Sequence, residues 1–298
     1  MPFRCNTRSG FLFYFHRVNY LYFNDELLPA DKPVLMADNK SFRYGDGLFE
    51  TIKIIDQKII LEEYHFERLF ASLQLMRFEI PGSFSKEKII KQIHDLNKEN
   101  GCSKSGRVRL SVYRGNGSIN DTKNALDYII ECSRVDKSVN EFSEKGLVLG
   151  LYPDAKKSCD TFSNIKSANF LPYVMAARYA RENNLDDSLV LNMHGRIADA
   201  TIANVFLVNN KRIITPLLSE GCINGVMRRY LLEQLPKKKY EVEERSVTQQ
   251  DIEKADELFL TNVMFGIKWV KQFNATSYAF SQTKEIYKQI IEPLWNIK

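Results

Sequence analysis

Apolar residues in this chain come in short runs broken by turn residues, and the spacing within the runs changes from one stretch to the next. Between residues 20 and 56 the runs are brief. The sharpest break, Tyr44-Gly45-Asp46-Gly47, predicts a strand on either side, the second over 48–55. From 61 to 78, Leu61, His65, Leu69, Leu73 and Met76 recur near helical spacing, and Pro81-Gly82 ends the pattern. A second helix is expected over 86–97. Residues 107–113 alternate as a half-buried strand does, the turn Arg114-Gly115-Asn116-Gly117 follows, and 128–132 reads as another strand.

Residues 133–145 are polar, charged and aperiodic, which marks them as a linker. Beyond them the pattern predicts a strand over 147–152, a helix over 171–183 with Pro172 in its first turn, and a strand over 188–191. Strands over 202–208 and 212–215 flank Asn209-Asn210-Lys211, a hairpin signal because asparagine tolerates positive φ. Gly221 to Gly225 opens a helix reaching 235. A short helix over 251–254, a strand over 257–261 and a terminal helix over 281–295 follow. The fold class expected is α/β (α+β) in two domains. The first is a small N-terminal domain over 1–132, with 1–22 as a candidate extension; the linker 133–145 leads to a larger C-terminal domain over 146–298.

Composition narrows the class. With 44% hydrophobic and 27% charged residues the chain is globular in type, neither disordered nor fibrous. The net charge of +5 is small for 298 residues, and basic and acidic residues are interleaved, so no nucleic-acid surface is indicated. Cys5, Cys102, Cys132, Cys159 and Cys222 are odd in number and lack C-x-x-C spacing. They read as reduced thiols of a cytoplasmic protein, with no metal site. The aromatic run 11–15 follows Arg4 and Arg8 but is shorter than the roughly 7–15 apolar residues of a secretory signal. No stretch approaches the roughly 20 apolar residues of a membrane span.

Four stretches could carry chemistry. In Gly221-Cys-Ile-Asn-Gly225-Val226-Met227-Arg228, glycines lead into a helix whose free N–H groups could seat a phosphate; taken alone, glycines of this kind more often form a plain turn before a helix. Lys166, among apolar neighbours before a helix, could form a Schiff base if burial lowers its pKa, although most lysines are solvated charges. Asp199 enters an apolar strand, where it could hold a cationic ring nitrogen or simply cap a turn. Arg68, in His65-Phe-Glu-Arg68, offers a fork for phosphate or is one more solvated helix charge; His65 reads as structural.

Taken together and in order, these stretches resemble the fold-type IV pyridoxal-phosphate enzymes, the class IV aminotransferases with their branched-chain aminotransferase and 4-amino-4-deoxychorismate lyase members. The resemblance runs through Ala37-Asp38, Phe42-Arg-Tyr-Gly-Asp-Gly-Leu-Phe-Glu50, His65-x-x-Arg68-Leu69, Arg114-Gly-x-Gly117 and Ile165-Lys166-Ser-x-Asn169. It continues through Asp187-x-Leu-Val-Leu-Asn-x-x-Gly195, Ala203-Asn204-Val-Phe206, Thr215-Pro216 and Gly225-Val-Met-Arg228, covering residues 23–270. It implies pyridoxal 5′-phosphate in a cleft between the two domains, and a homodimer. It also implies that Lys166 carries the cofactor and shuttles the substrate proton. Arg68, the backbone of Gly225, Val226 and Met227, and Thr261 would hold the phosphate, with Asp199 and Asn204 at the ring. Tyr44, Arg109, Arg114 and Asn262 are the implied substrate contacts.

Three departures bear on the reaction. Asp199 stands where the family usually has glutamate, so ring contact calls for a backbone shift or a bridging water. Phe170 replaces a tyrosine common in the family. After Gly117 the chain lacks the Gly-Arg-Gly-Tyr run of several lyases. Met227, where many transaminases have threonine, and the spacing from Tyr44 to Glu50 resemble the lyase branch, which yields pyruvate and the folate precursor 4-aminobenzoate. A branched-chain or D-amino-acid transaminase, and a non-catalytic binding protein on the same fold, stay open.

Overall fold

Strand 107–113 proves to be the middle of a longer ribbon around which the first half of the chain is built. The protein's computed structural model describes residues 19–121 and 125–296. Its first part comprises β1 (Tyr20–Phe23), β2 (Glu26–Pro29), the short helix α1 (Lys40–Tyr44), β3 (Gly47–Ile55), β4 (Lys58–Ile59), the helices α2 (Glu62–Leu75) and α3 (Lys86–Glu99), β5 (Ser105–Arg114) and β6 (Leu126–Arg134). The strands form one six-stranded sheet in the order β2-β1-β6-β5-β3-β4. Because strand side chains alternate between faces, Leu48, Ile52 and Ile54 of β3 pack with Val108 and Leu110 of β5 onto Leu69, Leu73, Ile89 and Ile93 of the two helices. Phe49 and Thr51 share the opposite face with Arg109, which pairs with Thr51, and Arg107, which pairs with Lys53. That face is the one that matters for function.

The second part comprises β7 (Leu147–Lys157), α4 (Leu171–Glu182), β8 (Asp187–Asn192), β9 (Ile197–Ala200), β10 (Asn204–Asn209), β11 (Arg212–Pro216), α5 (Val226–Gln234), β12 (Glu241–Arg245), α6 (Gln249–Lys254), β13 (Glu257–Asn262), β14 (Gly266–Phe273) and β15 (Thr276–Ser277). It ends in α7 (Ser281–Ile286), a π turn over Tyr287–Ile291 and α8 (Glu292–Trp295). A nine-stranded sheet runs β12-β11-β10-β13-β14-β7-β8-β9, with β15 beside β14. Phe206 and Phe259 stack at 5.1 Å in its centre, under Val226 and Leu231 of α5 and Ile286 of the terminal helix. Val205, Leu207, Leu258 and Leu260 fill the other face against Ile252 of α6.

Several elements differ from expectation for identifiable reasons. The strand expected over 202–208 begins only at Asn204, because the Ala200 N–H bonds the Ala203 carbonyl in a turn that separates it from β9, a strand over 197–200 that was not expected. Gly221 closes a 3-10 turn at φ 85°, and the helix proper begins only after Gly225. The terminal helix widens into the π turn ahead of Pro293, which has no N–H for the carbonyl one turn back. Between β6 and β7, where an aperiodic stretch was expected, a 3-10 turn occupies Lys137–Asn140. The charged Glu241–Arg245 is a strand because it lies at the sheet's edge, parallel to β11. Cys5, the aromatic run 11–15 and residues 1–18 of the candidate extension lie outside the described residues.

Replacing Phe206 with alanine removes a fully buried ring from the stacked centre and should destabilise the protein by about 3–5 kcal/mol. Urea unfolding measures this, and a loss under about 1 kcal/mol would show that the site collapses around the gap.

Candidate active site

A cavity of about 500 Å³ opens between the free face of the first sheet and the second sheet. Its wall includes Phe49, Arg68, Arg107, Arg109, Lys166, Asp199, Asn204, Gly225, Val226, Met227, Thr261 and Asn262. Tyr44 and Arg114 do not line it. They border a separate depression with Asp46 and Asp121, and Arg114 there pairs with Asp46 at 2.5 Å.

The Lys166 segment is held from both sides. The Phe49 N–H bonds the Lys166 carbonyl at 2.9 Å, and the Ala168 N–H bonds the Gly47 carbonyl at 2.8 Å, so residues 166–168 lie against the edge of β3. Ile165 is buried in the core of the first sheet. Asn164 meanwhile donates to the carbonyls of Leu218 at 2.8 Å and Cys222 at 2.6 Å, on the loop before α5. The Lys166 amine lies 4.5 Å from the centre of the Phe49 ring and 5.3 Å from that of Phe170. Burial first, and then the charge of Arg68, lower its pKa to about 7, where an ordinary lysine would be fully charged.

Arg68 reaches the cavity from α2 on a rigid mount. Its Nε donates to Glu50 at 2.8 Å, one terminal nitrogen donates to the same carboxylate at 2.5 Å, and the other donates to the Asn224 carbonyl at 2.9 Å. His65, one turn earlier, contacts Glu50 through Nδ1 at 2.7 Å. Burial alone would raise the Glu50 carboxyl, but Arg68 and His65 outweigh it and hold it at about 2. In the sequence Glu50 only closes a motif, and no role at the site was assigned to it. The signal that could find it is its parity with Leu48 and Ile52, which turns it toward the face of α2 that bears His65 and Arg68.

Asp199, on β9, is buried and accepts three hydrogen bonds: from the Tyr173 hydroxyl, the Ile223 N–H and the Asn204 side-chain amide, each at 2.8 Å. Burial raises its pKa, against the charge of Lys157 and these donors. Asn204 also donates to the Ile223 carbonyl at 2.8 Å. It thereby requires glycine at 225, where a Cβ would stand 2.0 Å from the Asn204 oxygen. The first-turn N–H groups of α5, including those of Val226 and Met227, have no partner within the helix. Thr261 gives its hydroxyl proton to the Gly266 carbonyl at 2.6 Å, and Asn262 folds over the Met264 and Phe265 amides at 2.9 and 3.1 Å. Arg109 lies over the Phe49 ring at 3.8 Å. Arg107, Tyr173 and Lys157 join the site's surroundings without having been singled out in the sequence. Among the described residues, no cluster of three or more His, Cys, Asp or Glu side chains is placed to hold a metal, and no helix is long and apolar enough to cross a membrane.

Residues 47–273 match the amino-transferase class IV family, and the chain belongs to it. It is 23% identical over 276 residues to a D-alanine aminotransferase of Listeria monocytogenes, spanning 90% of this chain and 92% of that protein. It is 24% identical over 282 residues to the aminodeoxychorismate lyase of Bacillus subtilis, spanning 91% and 94%. Its fold superposes on the branched-chain aminotransferase of Thermoproteus uzoniensis, crystallised with norvaline, with a TM-score of 0.83 at 19% identity over 93% of this chain and 95% of that one. Enzymes of the family depend on pyridoxal 5′-phosphate and act on small-molecule amino substrates. The cavity fits that cofactor: an amine of lowered pKa, a buried carboxylate, and a guanidinium beside unpartnered helix amides all open into one space.

Replacing Glu50 with glutamine leaves Arg68 buried against a neutral partner and should cost about 3–5 kcal/mol at neutral pH. Because the folded-state pKa of Glu50 lies below its ordinary 4.5, its contribution is present above that value and is lost as pH falls toward about 2. Urea midpoints across this range should therefore show the gap between the two proteins closing in acid; a gap independent of pH would mean the charge of Glu50 contributes nothing.

Proposed function

We propose that this chain is a 4-amino-4-deoxychorismate lyase, releasing pyruvate and 4-aminobenzoate for folate synthesis, and that it works as a cytoplasmic homodimer. The observation that carries the reading is the pair Arg107 and Arg109 in the cavity wall, since two guanidinium groups suit an amino substrate bearing two carboxylates. Met227 in Gly225-Val226-Met227-Arg228 supports the same branch. Val174 and Ile202, exposed apolar side chains at the cavity's edge, support a partner subunit there. A transaminase of branched-chain or D-amino acids is the second reading, favoured by the apolar Phe170, Val174, Ile202 and Val263 in the wall.

On either reading the chain's residues do the same early work. Pyridoxal phosphate, when bound, supplies an electron sink for the substrate's reacting carbon. Lys166, whose amine lines the cavity, would hold the cofactor and would serve as the base for the proton on that carbon. Three of the five N–H groups of Arg68 are spent on Glu50 and Asn224, which leaves two for the phosphate together with the Val226 and Met227 amides. Asp199, a buried carboxylate in the cavity wall, would hold the proton on the ring nitrogen. The small domain of this reading is the six-stranded sheet with its helices, and the large domain is the nine-stranded sheet with its own.

Incubation with aminodeoxychorismate should yield 4-aminobenzoate and pyruvate in equal amounts, whereas transfer of an amino group from L- or D-amino acids to a 2-oxo acid without pyruvate release would favour the second reading. Lys166→Ala should abolish both turnover and the cofactor mass fixed by borohydride. In the unsubstituted protein the rate of cofactor capture should climb with pH and level off above about 7, since only the neutral amine attacks. A rate still climbing at pH 9 would place Lys166 among ordinary lysines. Asp199→Asn should keep folding and Lys166 labelling while slowing proton abstraction; single-turnover kinetics at the wild-type rate would remove Asp199 from the cofactor.

A further inference from the structure

Asp199 has a second neighbour behind the cavity wall. Lys157, the last residue of β7, is 9% exposed and does not line the cavity. Its Nζ is 3.6 Å from Asp199 Oδ2 and 5.1 Å from the centre of the Tyr173 ring, and it has no hydrogen-bond partner. The titratable groups facing this amine are Asp199 on β9, Tyr173 on α4, and Cys159 and Cys222 on the flanking loops. Burial pushes the Cys222 thiol up to about 12 and the Tyr173 hydroxyl well above its ordinary value, so both stay protonated. Asp199 is the carboxylate left to balance Lys157, and it is also the carboxylate that opens into the cavity.

We infer that Lys157 and the ring nitrogen of the cofactor share Asp199 as their one counter-ion, so that seating the cofactor drives a proton off Lys157. The inference rests on the proposed contact between Asp199 and the ring. One carboxylate cannot neutralise two buried cations, and an uncompensated buried charge gives up its proton sooner than it persists. Of the two, Lys157 has less to lose, because its ammonium makes no hydrogen bond and reaches no water. The balance is simple: the Lys157 ammonium becomes a neutral amine, its proton leaves to solvent, and the ring keeps its own. Lys157 is therefore a positioning residue. Its charge holds Asp199 ionised in the empty site, and its loss frees that carboxylate for the ring.

The test uses pyridoxamine 5′-phosphate, which has no aldehyde and cannot condense with Lys166. Calorimetric titrations at one pH in buffers of different ionisation enthalpy count the protons released on binding. The unsubstituted protein should release about one proton per site more than Lys157→Met, or than Lys157→Gln should the apolar chain impair folding. The ultraviolet spectrum of the bound ligand should remain that of the protonated ring. Lys157→Arg, whose charge cannot be shed, should bind on the order of tenfold more weakly, the equivalent of one unit of pKa mismatch. Equal proton release from the unsubstituted protein and both neutral variants, or a bound ring that has lost its proton, overturns the inference. If Asp199→Asn binds the ligand as tightly as the unsubstituted protein does, the failure lies instead in the reading of Asp199.

Discussion

The site depends on one short ladder, the two backbone hydrogen bonds that join residues 166–168 to the edge of β3. Through them the Lys166 backbone is tied to the strand that carries Phe49 and Glu50, while Asn164, two residues earlier, is tied to the loop that introduces α5. The groups around the amine come from both sheets, and this segment is where their positions are reconciled. Burial in the first sheet's core anchors Ile165, so a shift of the lysine would have to move a packed side chain as well as break the ladder. A flexible lysine chain alone could not fix an amine in space. Its backbone, held at both ends, supplies the fixity.

Charge is organised around the same point by two buried carboxylates with opposite surroundings. Glu50 is met by a guanidinium and an imidazole and stays ionised despite burial. Asp199 is met by a hydroxyl and two amides, with Lys157 just beyond hydrogen-bond reach, and burial moves its pKa upward. Glu50 is thus occupied fully by its hydrogen-bonded partners, whereas the one cation beside Asp199 makes no hydrogen bond to it. The difference follows from geometry. Glu50 points from β3 into the helix layer, where α2 brings Arg68 and His65, and Asp199 points toward the cavity from a strand covered by Tyr173.

Much of this was legible in the sequence, and what was not has physical causes. Lys166, Arg68, Asp199, Asn204 and the Gly225-Val226-Met227 turn all open into one cavity, as their order in the chain led one to expect. Hydrophobic period located α2, α3 and β5 because each buries one continuous face. It could not see β12, whose charged residues lie at a sheet edge and need no apolar partner. Lys157 was invisible because Asp154-Ala-Lys-Lys157-Ser reads as an exposed polar stretch; only the bend of β7, whose register against β8 slips between Tyr152 and Lys157, turns that side chain inward. Tyr44 and Arg114 matched motifs, yet α1 and the pairing of Arg114 with Asp46 place them in a different depression. Short motifs specify local conformation. They do not specify which cavity a loop will face.

Aspartate in place of the family's glutamate at 199 is better understood from its neighbours than from its length. Three hydrogen bonds of 2.8 Å fix the carboxylate, and one comes from Asn204, whose own position excludes a side chain at 225. A longer acid on the same strand could not keep this set of partners, because its carboxylate would stand a methylene further from the backbone that presents it. In the folded protein Asp199 itself forms part of the cavity wall, and the loop before α5, bonded to it through the Ile223 N–H, is drawn to the same place. The acid and the turn before α5 are thus one unit. A change in the length of residue 199 would move the acid and that turn together.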